Sequence, residues 1–235
     1  MKTITCPSGE VALPRRGEKF TIWSAQATTL SIKNMKQRLQ NHINSINNLG
    51  LRIACDTILD TPEFFTCPAS LSFHHAYEGG LSAHTVEVCD AVKHISGYHC
   101  DKDYFFFLGS DVNHDILLTA ALWHDYAKIK EYVELYLIRD ETTKYPQKLF
   151  VDASRCYSHH PDYYKRIHHI QGSAIEFTVS AREQGVDESV IEQVQHCILA
   201  HHGRKEWGSP VEPQTLEALI LHQADMLSAH YGKTK

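Results

Sequence analysis

The chain has 235 residues, 23 basic and 28 acidic side chains for a net charge of −5, and 43% hydrophobic residues, the composition of one or two ordinary globular domains rather than of a disordered or collagen-like chain. No apolar run reaches the ~18 residues of a spanning helix, and Met1-Lys2-Thr3-Ile4-Thr5-Cys6 leads into polar sequence, so the expectation is a cytoplasmic protein outside the membrane class. Seven cysteines without a C-x-x-C pair argue against a disulfide framework, and the acidic balance against a broad duplex-binding surface.

Residues up to about Phe20, with Pro7, Gly9, Pro14 and Gly17, read as an irregular arm. From Thr28 to Asn48 the residues Leu30, Ile32, Met35, Leu39, Ile43 and Ile46 recur at helical steps, with Gly50 as the stop, and a second helix covers Leu51 to Leu59. Gly79-Gly80 opens a helix from Leu81 to about Ile95, ended by Gly97. Asn113 or Asp115 can cap the next, Ile116 to Tyr132. Alternation around Val133, Leu135 and Leu137, followed by Pro146 and Leu149-Phe150-Val151, is a hairpin signal. Helices resume over Asp162–Gln184, Asp187–Ala200 and Pro213–Tyr231. The expected architecture is all-α with one small β-hairpin insertion.

Histidine is the outlier, 17 residues against 12 glycines, and histidine is the commonest metal ligand and proton carrier. Single histidines and aspartates stand on successive helices: His84, the pair His124-Asp125, His168-His169, His201-His202 and Asp225. Neighbouring side chains on a helix diverge by about 100°, so His124-Asp125 needs other helices to complete a site. Burial among Leu122, Trp123, Leu221 and Leu227 would make an unpaired Asp125 or Asp225 costly, which favours a ligand role. His114-Asp115, at a helix start, is explained by capping, and His159-His160 before Pro161 by a surface loop.

The ordered segments Phe73-His74-His75-Ala76-Tyr77-Glu78-Gly79-Gly80-Leu81-Ser82-Ala83-His84-Thr85, His124-Asp125-Tyr126-Ala127-Lys128, His168-His169-Ile170-Gln171-Gly172-Ser173, His201-His202-Gly203 and Asp225 resemble the HD-domain superfamily of metal-dependent phosphohydrolases, with its ligand order H…HD…H…HH…D. Within it, His74-His75-Ala76-Tyr77 and His201-His202-Gly203-Arg204-Lys205-Glu206-Trp207-Gly208-Ser209-Pro210-Val211 look most like the hydrolase domain of YhaM-type 3′-5′ exoribonucleases. Those proteins carry an OB domain ahead of the hydrolase domain, and no such strand-rich segment is expected here. The resemblance covers roughly residues 70 to 235, which gives an expected HD-type hydrolase domain over 71–235, and leaves unexplained residues 1–70, read from their own pattern as an N-terminal arm and helical extension.

By resemblance, His84, His124, Asp125 and Asp225 hold one metal, and Asp125 bridges to a second held by His168, His201 and His202. His168 is preferred to His169 because it stands four residues before Gly172. Imidazoles with carboxylates suit one or two divalent ions of Mn, Fe, Co, Ni or Zn. The implied reaction is attack of a metal-activated hydroxide on a phosphate ester, with Asp125 orienting it and Lys128, on nearly the same helical face, stabilising developing charge. His75 and Tyr77 would line the pocket, while Arg204 and Lys205 beside Trp207 suit a base and its phosphate. The expected substrate is a nucleotide or the 3′ end of a single-stranded nucleic acid, and a homo-oligomer is compatible with the sequence. Two rival classes use the same ligand set: an HD-fold di-iron oxygenase, and a metal-stabilised sensor or binding module without turnover.

Overall fold

The structure is a computed structural model that describes residues 3–6, 9–12, 21–22, 29–97, 112–135, 156–160 and 162–231. Among them α1 (Thr29–Ile43) and α2 (Leu49–Leu59) come first, then α3 (Gly80–Ile95) and α4 (His114–Trp123). The chain continues with the single turn α5 (Lys128–Glu131), α6 (Tyr163–Arg166), α7 (His168–Glu183), α8 (Glu188–Ala200) and α9 (Leu216–Tyr231). None of these helices is long and apolar enough to cross a membrane. The fold is predominantly helical, as expected.

Every residue of α4 from Ile116 to Trp123 is buried. A helix without a polar face has to be enclosed, and α2, α3, α7, α8 and α9 all pack against it. Leu39 and Ile43 of α1 and Leu51, Cys55 and Ile58 of α2 belong to the same hydrophobic core as Leu81, Trp123, Phe177, Ile191 and Leu221. Asn113 caps α4, its Oδ1 accepting the Ile116 N–H at 3.2 Å. Asp115 does something else: its two oxygens accept the backbone N–H groups of Asn47 and Asn48 at 2.9 and 2.8 Å and clamp the turn between α1 and α2. That turn is why the first expected helix is shorter than its apolar pattern. Gly50 lies inside the first turn of α2, whose cap is Asn48 accepting from Leu51 N–H at 3.1 Å.

Strand content exceeds the expectation. The arm read as irregular contains an antiparallel ribbon of β1 (Thr3–Cys6) and β2 (Gly9–Ala12), with Thr3 opposite Ala12. β3 (Thr21–Ile22) joins β4 (Tyr132–Leu135) and β5 (Cys156–His159) in an antiparallel sheet of order β3-β5-β4. The first hairpin strand is thus where alternation placed it, but its partner is β5, with Tyr132 opposite His159. Leu149–Val151 lie outside the described residues.

The expected continuous helix Ile116–Tyr132 is broken after Trp123. The Ala127 N–H, which would donate to Trp123 C=O in an α-helix, is taken by Ser173 Oγ at 3.0 Å. Trp123 C=O accepts from Tyr126 N–H instead, at 3.1 Å. A side chain of α7 thereby replaces a helical hydrogen bond, and residues 124–127 become a turn.

Candidate metal centre

Asp125 sits in that turn with 2% of its surface exposed, and its two oxygens face two different groups of histidines. On one side Oδ2 lies 3.4 Å from His84 Nε2 and 3.4 Å from His124 Nε2. His84 Nε2 also lies 3.1 Å from Asp225 Oδ1, so His84, His124 and Asp225 offer converging ligand atoms. On the other side Oδ1 lies 3.4 Å from His169 Nε2 and 3.7 Å from His201 Nε2, and His169, His201 and His202 form the second converging group. The seven ligands expected by resemblance are therefore gathered, with one change: His169, not His168, enters the cluster.

The change has a local cause. Glu131, itself 2% exposed, accepts the His169 backbone N–H at 2.7 Å and its Nδ1–H at 2.9 Å, both on Oε2. His168 takes a left-handed φ of 64° at the junction of α6 and α7, and its ring lies beside that of His169, centroids 4.3 Å and planes 39° apart. Stepping back by fours from Phe177 through Ser173 reaches His169, all three on the buried face of α7, but only Phe177 is apolar, so the apolar pattern hardly separates His169 from His168. Gly172 permits the close approach: a Cβ there would stand 2.8 Å from Ala127 Cβ and 2.0 Å from the Tyr163 hydroxyl.

Each of the five clustered imidazoles has its Nδ1 engaged outside the cluster. His84 bonds Ser228 Oγ at 2.9 Å, His124 the Ala121 carbonyl at 2.8 Å, and His169 Glu131. His201 donates to the Ile198 carbonyl and His202 to the Trp207 carbonyl, both at 2.7 Å. With Nδ1 engaged outside, Nε2 is the ring nitrogen turned into the cluster, the one that would give its lone pair to a metal. Burial pushes His201 well below its usual pKa and His169 down to about 4, so both are neutral near pH 7. The carboxylates are charged despite burial: Lys128 and His124 beside Asp125, and His84 beside Asp225, hold both well below the usual range.

The residues present fit a cationic guest. Asp125 Oδ1, His169 Nε2 and His201 Nε2 are buried without a hydrogen-bond partner, and orphaned acceptors of this kind are costly unless something positive lies between them. The donor set, rich in nitrogen and short of oxygen, suits divalent transition ions better than calcium.

Lys128 is buried, with its Nζ 2.5 Å from Asp125 Oδ2. It is bound to the central carboxylate rather than solvated. His75 is buried, its Nε2 3.0 Å from Glu87 Oε2 and its Nδ1 3.3 Å from His74 Nδ1, and His74, His75 and His84 form a further group of converging nitrogens beside the cluster. The neighbouring His74 is the one closer to the cluster, its ring 4.6 Å from that of His84. Tyr77 and Trp207 are each 47% exposed, and Arg204 lies 5.0 Å over the Trp207 ring, with Lys205 exposed beside it. Leu227, expected to help bury Asp225, is exposed. His114 lies near Ser96 and His160 near the start of α6, both apart from the cluster.

Glu131, Glu87, Ser228, His74 and His169 are the residues sequence reasoning missed. Glu87 and Ser228 follow the candidate ligands His84 and Asp225 by three residues, the spacing that shares a helical face. Ser228 Oγ donates to Glu87 Oε2 at 2.9 Å, so one carboxylate anchors both His75 and, through Ser228, His84.

An HD domain family model matches residues 81–230. The chain is similar to the 3′-5′ exoribonuclease YhaM of Listeria welshimeri, 26% identical over 206 residues, 87% of this chain and 56% of that protein. Proteins of the same name from Bacillus pumilus and Bacillus subtilis are 32% and 30% identical over 167 residues, 71% of this chain and 44% of each. The chain thus spans about half the length of these relatives. No solved structure matches it.

Proposed function

Because the chain belongs to the HD-domain family, we propose that it is a metal-dependent phosphohydrolase acting on phosphodiesters of nucleotides or of single-stranded nucleic acid ends. The observation that carries this reading is the division of labour at Asp125, whose two oxygens each face a separate histidine group. Divalent ions held there supply, when bound, Lewis-acid polarisation of a phosphoryl oxygen and activation of water. His84, His124 and Asp225 would hold one, and His169, His201 and His202 the other, with Asp125 shared.

The chain's own groups do the rest. Asp125, kept ionised, is an acceptor that can orient an attacking water toward phosphorus. Lys128 brings a buried positive charge to the same carboxylate, where it offsets negative charge accumulating on the phosphoryl oxygens. Trp207 with Arg204, and Tyr77, supply rings and a cation beside the site for a base and its phosphate. The names of the relatives point to RNA, and a net charge of −5 argues for a substrate gripped locally rather than along a duplex.

The test is a panel of nucleoside mono- and triphosphates, cyclic dinucleotides and 3′-labelled single-stranded RNA and DNA, with Mn²⁺ added to purified protein. Turnover lost in Asp125→Ala and kept in His114→Ala supports the reading. Retention of a tenth of wild-type turnover by Asp125→Ala, or no hydrolysis of any phosphoester, sinks it.

A further inference from the structure

The histidine expected as a ligand but left outside the cluster, His168, belongs to a different construction. A row of aromatic rings runs outward from the cluster. The His169 and His168 centroids are 4.3 Å apart, those of His168 and Tyr164 5.5 Å, and those of Tyr164 and His159 4.2 Å with planes 40° apart. The row begins buried at His169 and ends with Tyr164 44% exposed and the His159 side chain 42% exposed.

Backbone strain builds this row. A histidine with φ of 64° occupies the left-handed region, which side chains enter at a cost and which is common where function requires it. The strain turns His169 inward to Glu131 while leaving His168 at the lip of the site. Glu131, His168 and His169 lie close enough together to hold an ion of their own, but Glu131 Oε2 already accepts two N–H groups from His169. Tyr164, 44% exposed, stands next to exposed Lys165 and to Arg166, whose guanidinium lies 3.7 Å from Asp162 Oδ1, and an exposed ring beside cations has the chemistry of a stacking surface for an unpaired base on a phosphate backbone.

We propose that Tyr164, braced by His159 and His168, is a stacking platform for an unpaired nucleobase of a strand whose phosphodiester lies at the cluster. This rests on the phosphohydrolase reading for the position of the strand, and it assigns α6 and the end of β5 to substrate binding. Duplex is excluded from such a platform because its bases are already stacked on each other.

The test measures binding of a short fluorescent oligoadenylate by anisotropy, with chelator present, and separately the Mn²⁺-dependent hydrolysis of bis(p-nitrophenyl) phosphate, which has no base. Tyr164→Ala should weaken strand binding by about five-fold or more, Tyr164→Phe should bind like wild type, and all three proteins should hydrolyse the small ester equally. Unchanged strand binding in Tyr164→Ala overturns the platform, as does an equal loss in Tyr164→Phe, which would make the hydroxyl the active feature. Wild-type protein that binds no strand yet cleaves the ester also overturns the platform and leaves the phosphohydrolase reading standing. A loss of binding in Tyr164→Ala with no ester hydrolysis by any of the proteins supports the platform and counts against that reading.

Discussion

Replacing Glu131 by Gln tests whether the second histidine group is built from outside. The carboxylate accepts two N–H groups of His169, at 2.7 and 2.9 Å, within a site that is 2% exposed. Burial alone would raise its pKa, but the hydrogen bonds from His169 outweigh that and bring it down to about 2. Hydrogen bonds to a charged acceptor contribute about 1.5–3 kcal/mol and neutral ones about 0.5–1.5, so an isosteric amide gives up roughly 1 kcal/mol per bond. Removing a buried charge also returns its desolvation cost, which limits the stability loss to about 2 kcal/mol or less. Metal affinity carries no such offset. Loss of a carboxylate that orients a ligating imidazole typically costs 10–100-fold, or about 1.4–2.8 kcal/mol. Competition titration of Mn²⁺ against a fluorescent chelator measures the affinity, and urea denaturation of chelator-treated protein the stability. An affinity within two-fold of wild type would refute the assignment of His169 to the cluster through Glu131.

Ser228→Ala breaks the link between His84 Nδ1 and Glu87 and should weaken metal binding by about 10-fold or more in the same titration. Gly80→Ala places a Cβ 1.9 Å from the His75 carbonyl oxygen, and the backbone there cannot yield cheaply, so a loss of about 2–4 kcal/mol by urea denaturation is expected from overpacking and the hydrogen bonds of His75 C=O with Ala69 and Tyr77 N–H. Asp90→Asn should cost less than about 1 kcal/mol at pH 7, because Asp90 and its partner Arg38 are half exposed, although its other partner His42 is buried. Those partners lower the Asp90 pKa against the effect of burial, so its contribution is present above the usual carboxylate range and fades as pH falls through it, and the difference from wild type should shrink below about pH 4 in acid titrations. Burial pushes the Cys55 thiol up to about 12 and raises Cys67, Cys89 and Cys197 as well, so peptide mapping after alkylation at neutral pH should find these four unmodified until the protein is unfolded.

What could be read without coordinates was whatever repeats along the chain. The apolar step of three and four residues located α3, α8 and α9 to within a few positions, because a helix carries its periodicity and its caps in local sequence, while the ordered segments around His84, His124-Asp125, His201-His202 and Asp225 pointed to a cluster through their resemblance to the HD-domain superfamily. Tertiary structure decided what depends on a distant partner. Ser173 on α7 takes the Ala127 N–H and turns a helical pattern into the bend that lets His124 and Asp125 converge. Glu131 selects His169 over His168, two adjacent imidazoles that local pattern hardly separates, by offering an acceptor to one backbone N–H and its ring. Strand β3 follows the same rule: it exists by pairing with β5, more than a hundred residues away, and a two-residue strand has no period of its own to announce it.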